Sequence, residues 1–244
     1  MYKVFFSMLF SFTFIGLFAQ DVMTPEMLVQ LNKVSGKGLT KDGKHVIYSV
    51  SSYNIETNSK TSTTYQIPIT GGEATKISDY KNLLVNRSVS PDGNYKITTA
   101  DVKLEKVTGQ DYYNDVSNSN VKIYDELNYR HWDTWEDGAF SHVMYAETNK
   151  DSEPIDIMAN EPFDCPQKPF GGSEDYLWSP DSKSILYVTK KLSGVAYASS
   201  TNTDIYEYNL ESKTTTNLTS NNKGYDTSPA FSSKGQLAWL QMKR

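Results

Sequence analysis

One short phrase recurs along this chain and restricts its fold more than any other feature. A turn centred on Asp-Gly, or a close variant, is followed at once by an apolar strand. It reads Thr40-Lys41-Asp42-Gly43 before His45-Val46-Ile47-Tyr48-Ser49-Val50, then Ser90-Pro91-Asp92-Gly93 before Tyr95-Lys96-Ile97-Thr98. It returns as Trp178-Ser179-Pro180-Asp181-Ser182 before Ile185-Leu186-Tyr187-Val188, and as Phe231-Ser232-Ser233-Lys234-Gly235 before Leu237-Ala238-Trp239-Leu240. Pro fixes φ at a turn position, Asp bonds nearby backbone, and Gly accepts a positive φ. Each phrase therefore predicts a tight turn leading into a buried strand. The intervals are about 50, 89 and 53 residues, and a strand-rich repeat of about 40 to 50 residues is the signature of four-stranded propeller blades.

The stretches after the turns agree. Tyr65 to Ile69 and Gly71 to Ile77 read as two outer strands joined at Gly71-Gly72, and Asp204 to Leu210 with Lys213 to Thr219 repeat that plan. The long middle interval predicts a blade carrying an insertion around residues 111–138, with Ser141 to Ala146 and Pro154 to Met158 as its outer strands. The expected fold is all-β: a partial β-propeller of about four begun blades, each a four-stranded antiparallel sheet, over residues 37–244. The last blade stops near Gln241-Met242-Lys243-Arg244, which predicts an incomplete ring with unpaired strand edges.

Ahead of the repeat, Lys3 is the only charge before Asp21, and the run from Val4 to Phe18 is almost wholly apolar. Residues 1–20 are thus expected to be a secretory signal, with the cut after Ala19. The run is short for a membrane span, and no Cys follows it for a lipid, so no stable membrane anchor is expected. The mature chain would be periplasmic or extracellular. Thr24-Pro25-Glu26 then predicts a short helix within residues 21–36, ending near Ser35-Gly36.

Composition narrows the function. With 24 basic and 29 acidic residues the net charge is -5, which argues against nucleic acid as a partner. A single cysteine, Cys165, excludes an internal disulfide framework, and three scattered histidines offer no H-E-x-x-H pair. No cofactor or metal is called for. There is no G-x-S-x-G: Gly171-Gly172-Ser173-Glu174-Asp175 begins like one but ends on Asp. There is no phosphate-binding P-loop, and Gly36-Lys37-Gly38 lacks the third glycine of a dinucleotide fingerprint. The insertion is the candidate site. Glu126, Arg130, Trp132, Asp133 and Trp135 place carboxylates, a cation and aromatic rings within ten residues. A carboxylate beside aromatic walls can hold a peptide ammonium by charge and cation-π attraction. The plainer alternative is that Tyr129, Trp132 and Trp135 pack the insertion on its blade while Arg130 and Asp133 pair locally.

The opening Thr24-Pro25-Glu26-Met27-Leu28, the Asp-Gly turns, and above all Tyr129-Arg130-His131-Trp132-Asp133-Thr134-Trp135-Glu136-Asp137-Gly138 resemble secreted peptidases of the prolyl oligopeptidase family. The similarity is to the dipeptidyl-peptidase 5 and acylaminoacyl-peptidase-like group, and Phe170 to Glu174 and Gly224 to Pro229 share it. The resemblance implies a propeller that screens oligopeptide substrates, followed by an α/β-hydrolase domain with a Ser-Asp-His triad, and a full-length protein able to form a homodimer. It implies no catalytic residue within this chain. It lends Glu126 or Asp133 a role in binding the substrate's free N-terminus. The rival expectation is a stand-alone periplasmic propeller that binds protein or peptide without catalysis.

Overall fold

The computed structural model describes residues 22–116 and 118–244. They form two compact units that divide between Val85 and Asn86. The expected export signal lies outside the described residues.

In the first unit, α1 (Pro25–Gln30) begins as its sequence dictates, with the Thr24 hydroxyl accepting the Met27 N–H at 3.2 Å and Pro25 in the first turn. The helix is shorter than expected. Lys33–Leu39 is a strand, β1, because its backbone pairs with β2 (His45–Asn54) from Lys33↔Ser51 to Leu39↔Val46. Those pairings satisfy backbone groups that a helix end would leave open. β2 continues through β3 (Ser59–Pro68) to β4 (Thr75–Ile77) as a four-stranded antiparallel meander.

Among the described residues the second unit holds four more sheets. β5 (Tyr95–Lys103) leads into the insertion, which makes helix α2 (Gly109–Tyr112) and the hairpin of β6 (Arg130–His131) and β7 (Thr134–Trp135). The chain then returns as β8 (Ala139–Glu147), paired along its whole length with β5, and β9 (Ile155–Asp156) closes a three-stranded sheet. A fourth strand is reduced to one bridge, Val89↔Lys96. Next come β10 (Tyr176–Trp178), β11 (Ser184–Thr189), the short helix α3 (Gly194–Ser199), β12 (Asp204–Asn209) and β13 (Thr215–Asn217). Their strands form a four-stranded meander, followed by the pair β14 (Asp226–Phe231) and β15 (Leu237–Gln241). The fold is a partial β-propeller of antiparallel blades, four of them begun.

The repeated phrase works through a hydroxyl-carboxylate clasp. Thr40, Ser90 and Ser179 each donate to the Asp two residues on at 2.6 Å, and each accepts the backbone N–H five residues on at 2.9 to 3.0 Å. The clasp holds Asp42, Asp92 and Asp181 below the usual carboxylate range, the neighbouring hydroxyl being the main cause. These aspartates are structural. The fourth turn keeps Ser232, which accepts the Gln236 N–H at 3.1 Å, but has no carboxylate. The turns lead into strands as expected, and these are not the first strands of their blades. The turns join a blade's first strand to its second, and the first strands β1, β10 and β14 precede them. Those strands are short, polar or glycine-containing, so they carry no alternation to read.

Packing within the second unit centres on β11, whose six residues are all buried. Ile185 and Tyr187 join Ile97, Val143 and Tyr145 of the three-stranded sheet, while Leu186 and Val188 face Phe231 and Leu237. A strand sandwiched between two sheets must be apolar on both faces, as the run Ile-Leu-Tyr-Val is. The Trp178 indole N–H donates to the Ser88 carbonyl at 3.0 Å, and the Asp92 N–H to the Ser182 hydroxyl at 3.0 Å, which ties the two blades together.

Candidate functional site

The insertion leaves and re-enters the sheet at adjacent paired residues, Lys103 and Ala139. Its neck is closed by the Gly138 carbonyl, which accepts the N–H groups of Leu104 and Glu105 at 2.9 and 3.1 Å. Only glycine suits this position: φ is +82°, and a Cβ would lie 2.2 Å from the Glu105 carbonyl oxygen. Behind the neck, Asp111 accepts the Val107 and Thr108 N–H groups and pairs with Lys103 at 2.9 Å. The Lys103 contact, with those amides, holds its carboxyl far below the ordinary range.

Inside the insertion, Tyr124, Tyr129 and Trp135 stack on one another at 5.6 to 6.1 Å, and Arg130 lies over the Trp135 ring at 5.0 Å. Trp132 and Asp133 form the tip of the β6–β7 hairpin. Trp132 is 69% exposed, has φ of 50°, and meets Phe170 edge-on at 5.5 Å. Packing thus accounts for Tyr129 and Trp135, whereas Arg130 and Asp133 do not pair with each other. Asp133 has no protein partner among the described residues.

Beneath this cluster lies a cavity of about 470 Å³. Its wall includes the carboxylates of Glu105, Asp125, Glu126, Glu136 and Asp164 against one cation, Lys106. Tyr124, Phe140, Phe163 and Tyr197 supply flat apolar surface. Glu126 stands opposite Gly194, where a Cβ would come within 2.3 Å of its Oε2, so the glycine makes room for the carboxylate. Glu126 has no hydrogen-bond or ion-pair partner among the described residues. Glu136 and Asp164 are held differently: both face Lys168, at 3.9 and 3.1 Å, and Asp164 also accepts the Ser141 N–H at 2.8 Å. Burial raises the Glu136 carboxyl above its ordinary range, opposed by Lys168. For Lys168 burial works against the charge, but Asp164 and Glu136 outweigh it and its pKa rises. Burial, reinforced by Asp164 and Glu136, pushes the Tyr197 hydroxyl up to about 12.

A second cavity of about 420 Å³ adjoins the first, sharing Asn128, Glu136 and Tyr197 with it. His131, Lys168, Phe170 and Lys190 contribute to its lining. Of the residues singled out in the sequence, Glu126 reaches the first cavity. Arg130, Trp132, Asp133 and Trp135 line neither and form the hairpin above. The residues that sequence reasoning missed are Glu136, Asp164, Lys168, Lys190 and Tyr197. Glu136 stands beside Asp137-Gly138, and Asp164 and Lys168 lie four apart in a proline-rich loop, but nothing local indicated that they converge. Cys165 is fully buried, and desolvation pushes its thiol well up, so it is inert. Among the described residues no three His, Cys, Asp or Glu side chains converge as a metal site.

Comparison with known proteins places this geometry in context. No family model matches the chain. Dipeptidyl-peptidase 5 of Porphyromonas gingivalis is 32% identical over 268 aligned positions, covering 91% of this chain and 39% of that protein. Dipeptidyl-peptidase 5 of Porphyromonas endodontalis is 31% identical, covering 92% and 39%. The Schizosaccharomyces pombe enzyme of the same name is 32% identical over 51% of this chain and 20% of its own length. The chain thus spans about two fifths of the length of the bacterial relatives it matches. Among solved structures, a putative TolB from Agrobacterium tumefaciens aligns over 85% of this chain and 53% of its own, with a TM-score of 0.33 and 17% identity. That likeness is too loose to bear on fold or function. The resemblance read from the sequence, to the dipeptidyl-peptidase 5 group, is borne out by the sequence relatives.

Proposed function

We propose, on the premise that this chain is a relative of dipeptidyl-peptidase 5 over nine tenths of its length, that it is the substrate-admitting part of an exported serine exopeptidase that releases dipeptides. In this reading the blades screen oligopeptides and the acidic cavity holds their free N-terminal amine. In the same reading, as the resemblance to dipeptidyl-peptidase 5 implies, bond cleavage belongs to an α/β-hydrolase domain.

The observation that carries the reading is the charge of the first cavity: five carboxylates and one lysine around a space walled by aromatic rings. A peptide ammonium is a cation that such carboxylates can hold, and the first side chain can lie against Tyr124 and Phe163. Glu126 is the favoured anchor because its carboxylate is unspent, whereas Glu136 and Asp164 already share Lys168. Asp133 lies at the hairpin tip, outside the cavity lining.

The test is steady-state kinetics of the full-length protein on free-amine dipeptide substrates. A hydrogen bond to a charged group is worth about 1.5–3 kcal/mol, so Glu126→Gln is expected to raise KM roughly tenfold or more. Asp133→Ala should leave KM unchanged. An unaltered KM in both Glu126→Gln and Glu136→Gln would remove the amine-anchoring role.

A further inference from the structure

The second cavity carries the opposite charge character, and one of its cations has no acid to neutralise it. Lys190, at the end of β11, donates to the backbone carbonyls of Tyr197, at 2.5 Å, and Ser200. Its ammonium also lies 4.1 Å from the centre of the Tyr197 ring. No carboxylate among the described residues forms an ion pair with it, and burial pulls its pKa down. Two carbonyls and a ring use part of its donor capacity without supplying a full negative charge.

His131 faces the same cavity, and its Nε2 is buried without a hydrogen-bond partner in the protein. A buried polar atom left unpaired is costly, and native proteins rarely keep one without a purpose. Lys168 is the remaining cation of the lining, and it leans towards Asp164 and Glu136. Glu136 is the one carboxylate among the lining residues. Lys168 and Lys190 therefore outnumber it, and His131 adds a donor in the tautomer protonated at Nε2.

We propose that this second cavity is a carboxylate subsite for peptides, with Lys190 as its charge and His131 Nε2 as its second hydrogen-bond donor. The inference deepens the peptide-binding reading and rests on it. The carboxylate has two sources, an acidic side chain or a free C-terminus, and both present the same chemistry. Because the two cavities adjoin at Asn128, Glu136 and Tyr197, a short peptide can place its amine in one and a carboxylate in the other.

Isothermal titration calorimetry on the full-length protein separates these sources, using N-acetylated peptides that present no amine to the first cavity. Three probes suffice: acetyl-Glu-Ala-amide, acetyl-Gln-Ala-amide and acetyl-Gln-Ala with a free carboxylate. A charge-assisted contact predicts that at least one carboxylate probe binds about tenfold or more tighter than the neutral one. The glutamate probe reports the side-chain source and the free acid the C-terminal source. Lys190→Met should abolish that preference, and Glu126→Gln should leave it intact. If Lys190→Met lowers the melting temperature, His131→Ala is read instead and should weaken the preference. Equal binding of all three probes, no binding of any, or a preference that survives both variants overturns the proposal. A failure here leaves the free-amine kinetics of Glu126→Gln untouched, so the two readings fail separately.

Discussion

Replacing Asp175 by Asn would remove a buried charge while keeping its hydrogen bond. Asp175 is 3% exposed, just before β10, and its Oδ2 accepts the Gln167 N–H at 2.9 Å. No lysine, arginine or histidine among the described residues pairs with it. Burial raises its carboxyl to about 6, the Gln167 N–H pulls the other way, and Glu174 adds repulsion. A folded pKa above the ordinary value of 3.8 means that the folded protein binds this proton more tightly than the unfolded chain does. The associated stability is therefore complete below pH 3.8 and is lost as pH rises through about 6. The displacement corresponds to about 3 kcal/mol at most. Asn offers the same acceptor to Gln167 without the charge. Asp175→Asn should therefore be more stable than the parent at pH 7 and nearly equal to it at pH 4. At about 2–4 °C per kcal/mol for a domain of this size, the upper limit is a gain of roughly 6–12 °C. Thermal unfolding followed by circular dichroism at the two pH values is the assay. A variant that melts at or below the parent at pH 7, or a difference that is the same at pH 4, would refute the reasoning.

Two other substitutions probe the frame that holds the site. Gly138→Ala forces a Cβ against the Glu105 carbonyl at a φ of +82°, so it should cost about 2 kcal/mol or more. It should also speed amide hydrogen exchange at Leu104 and Glu105, whose N–H groups bond the Gly138 carbonyl; normal protection there would show that the neck tolerates the side chain. Ile185→Ala empties a fully buried position on the strand shared by two sheets and should cost about 2–5 kcal/mol. A chemical denaturation midpoint close to that of the parent would mean that β11 is less central than its burial indicates.

The turns and the central strand were legible because their causes are local. The clasp of Ser179 on Asp181 spans two residues, and its partner N–H belongs to Ser184, so a short window of sequence contains the whole device. Likewise Ile185 to Val188 are uniformly apolar because both faces of β11 are covered. The aromatic insertion was also visible as a cluster. Its split into packing and site was not: Tyr129 and Trp135 pack their rings on Tyr124, while Glu126 faces a cavity. The first strand of each blade escaped notice because β1, β10 and β14 are defined by pairing with a neighbour rather than by any pattern of their own.

Sequence alone therefore determined the blade repeat, the position of the insertion and the absence of a nucleophile elbow, since each depends on residues close together in the chain. Tertiary structure decided which charges meet. Glu126, Glu136 and the loop that holds both Asp164 and Lys168 come from separate parts of the chain, and Lys190 directly follows a buried strand. Whether a carboxylate is already neutralised or a cation left without an acid depends on distances of a few ångströms between segments. No local pattern encodes those distances, because they are set by how the β5–β8 pair and the β10–β13 sheet pack.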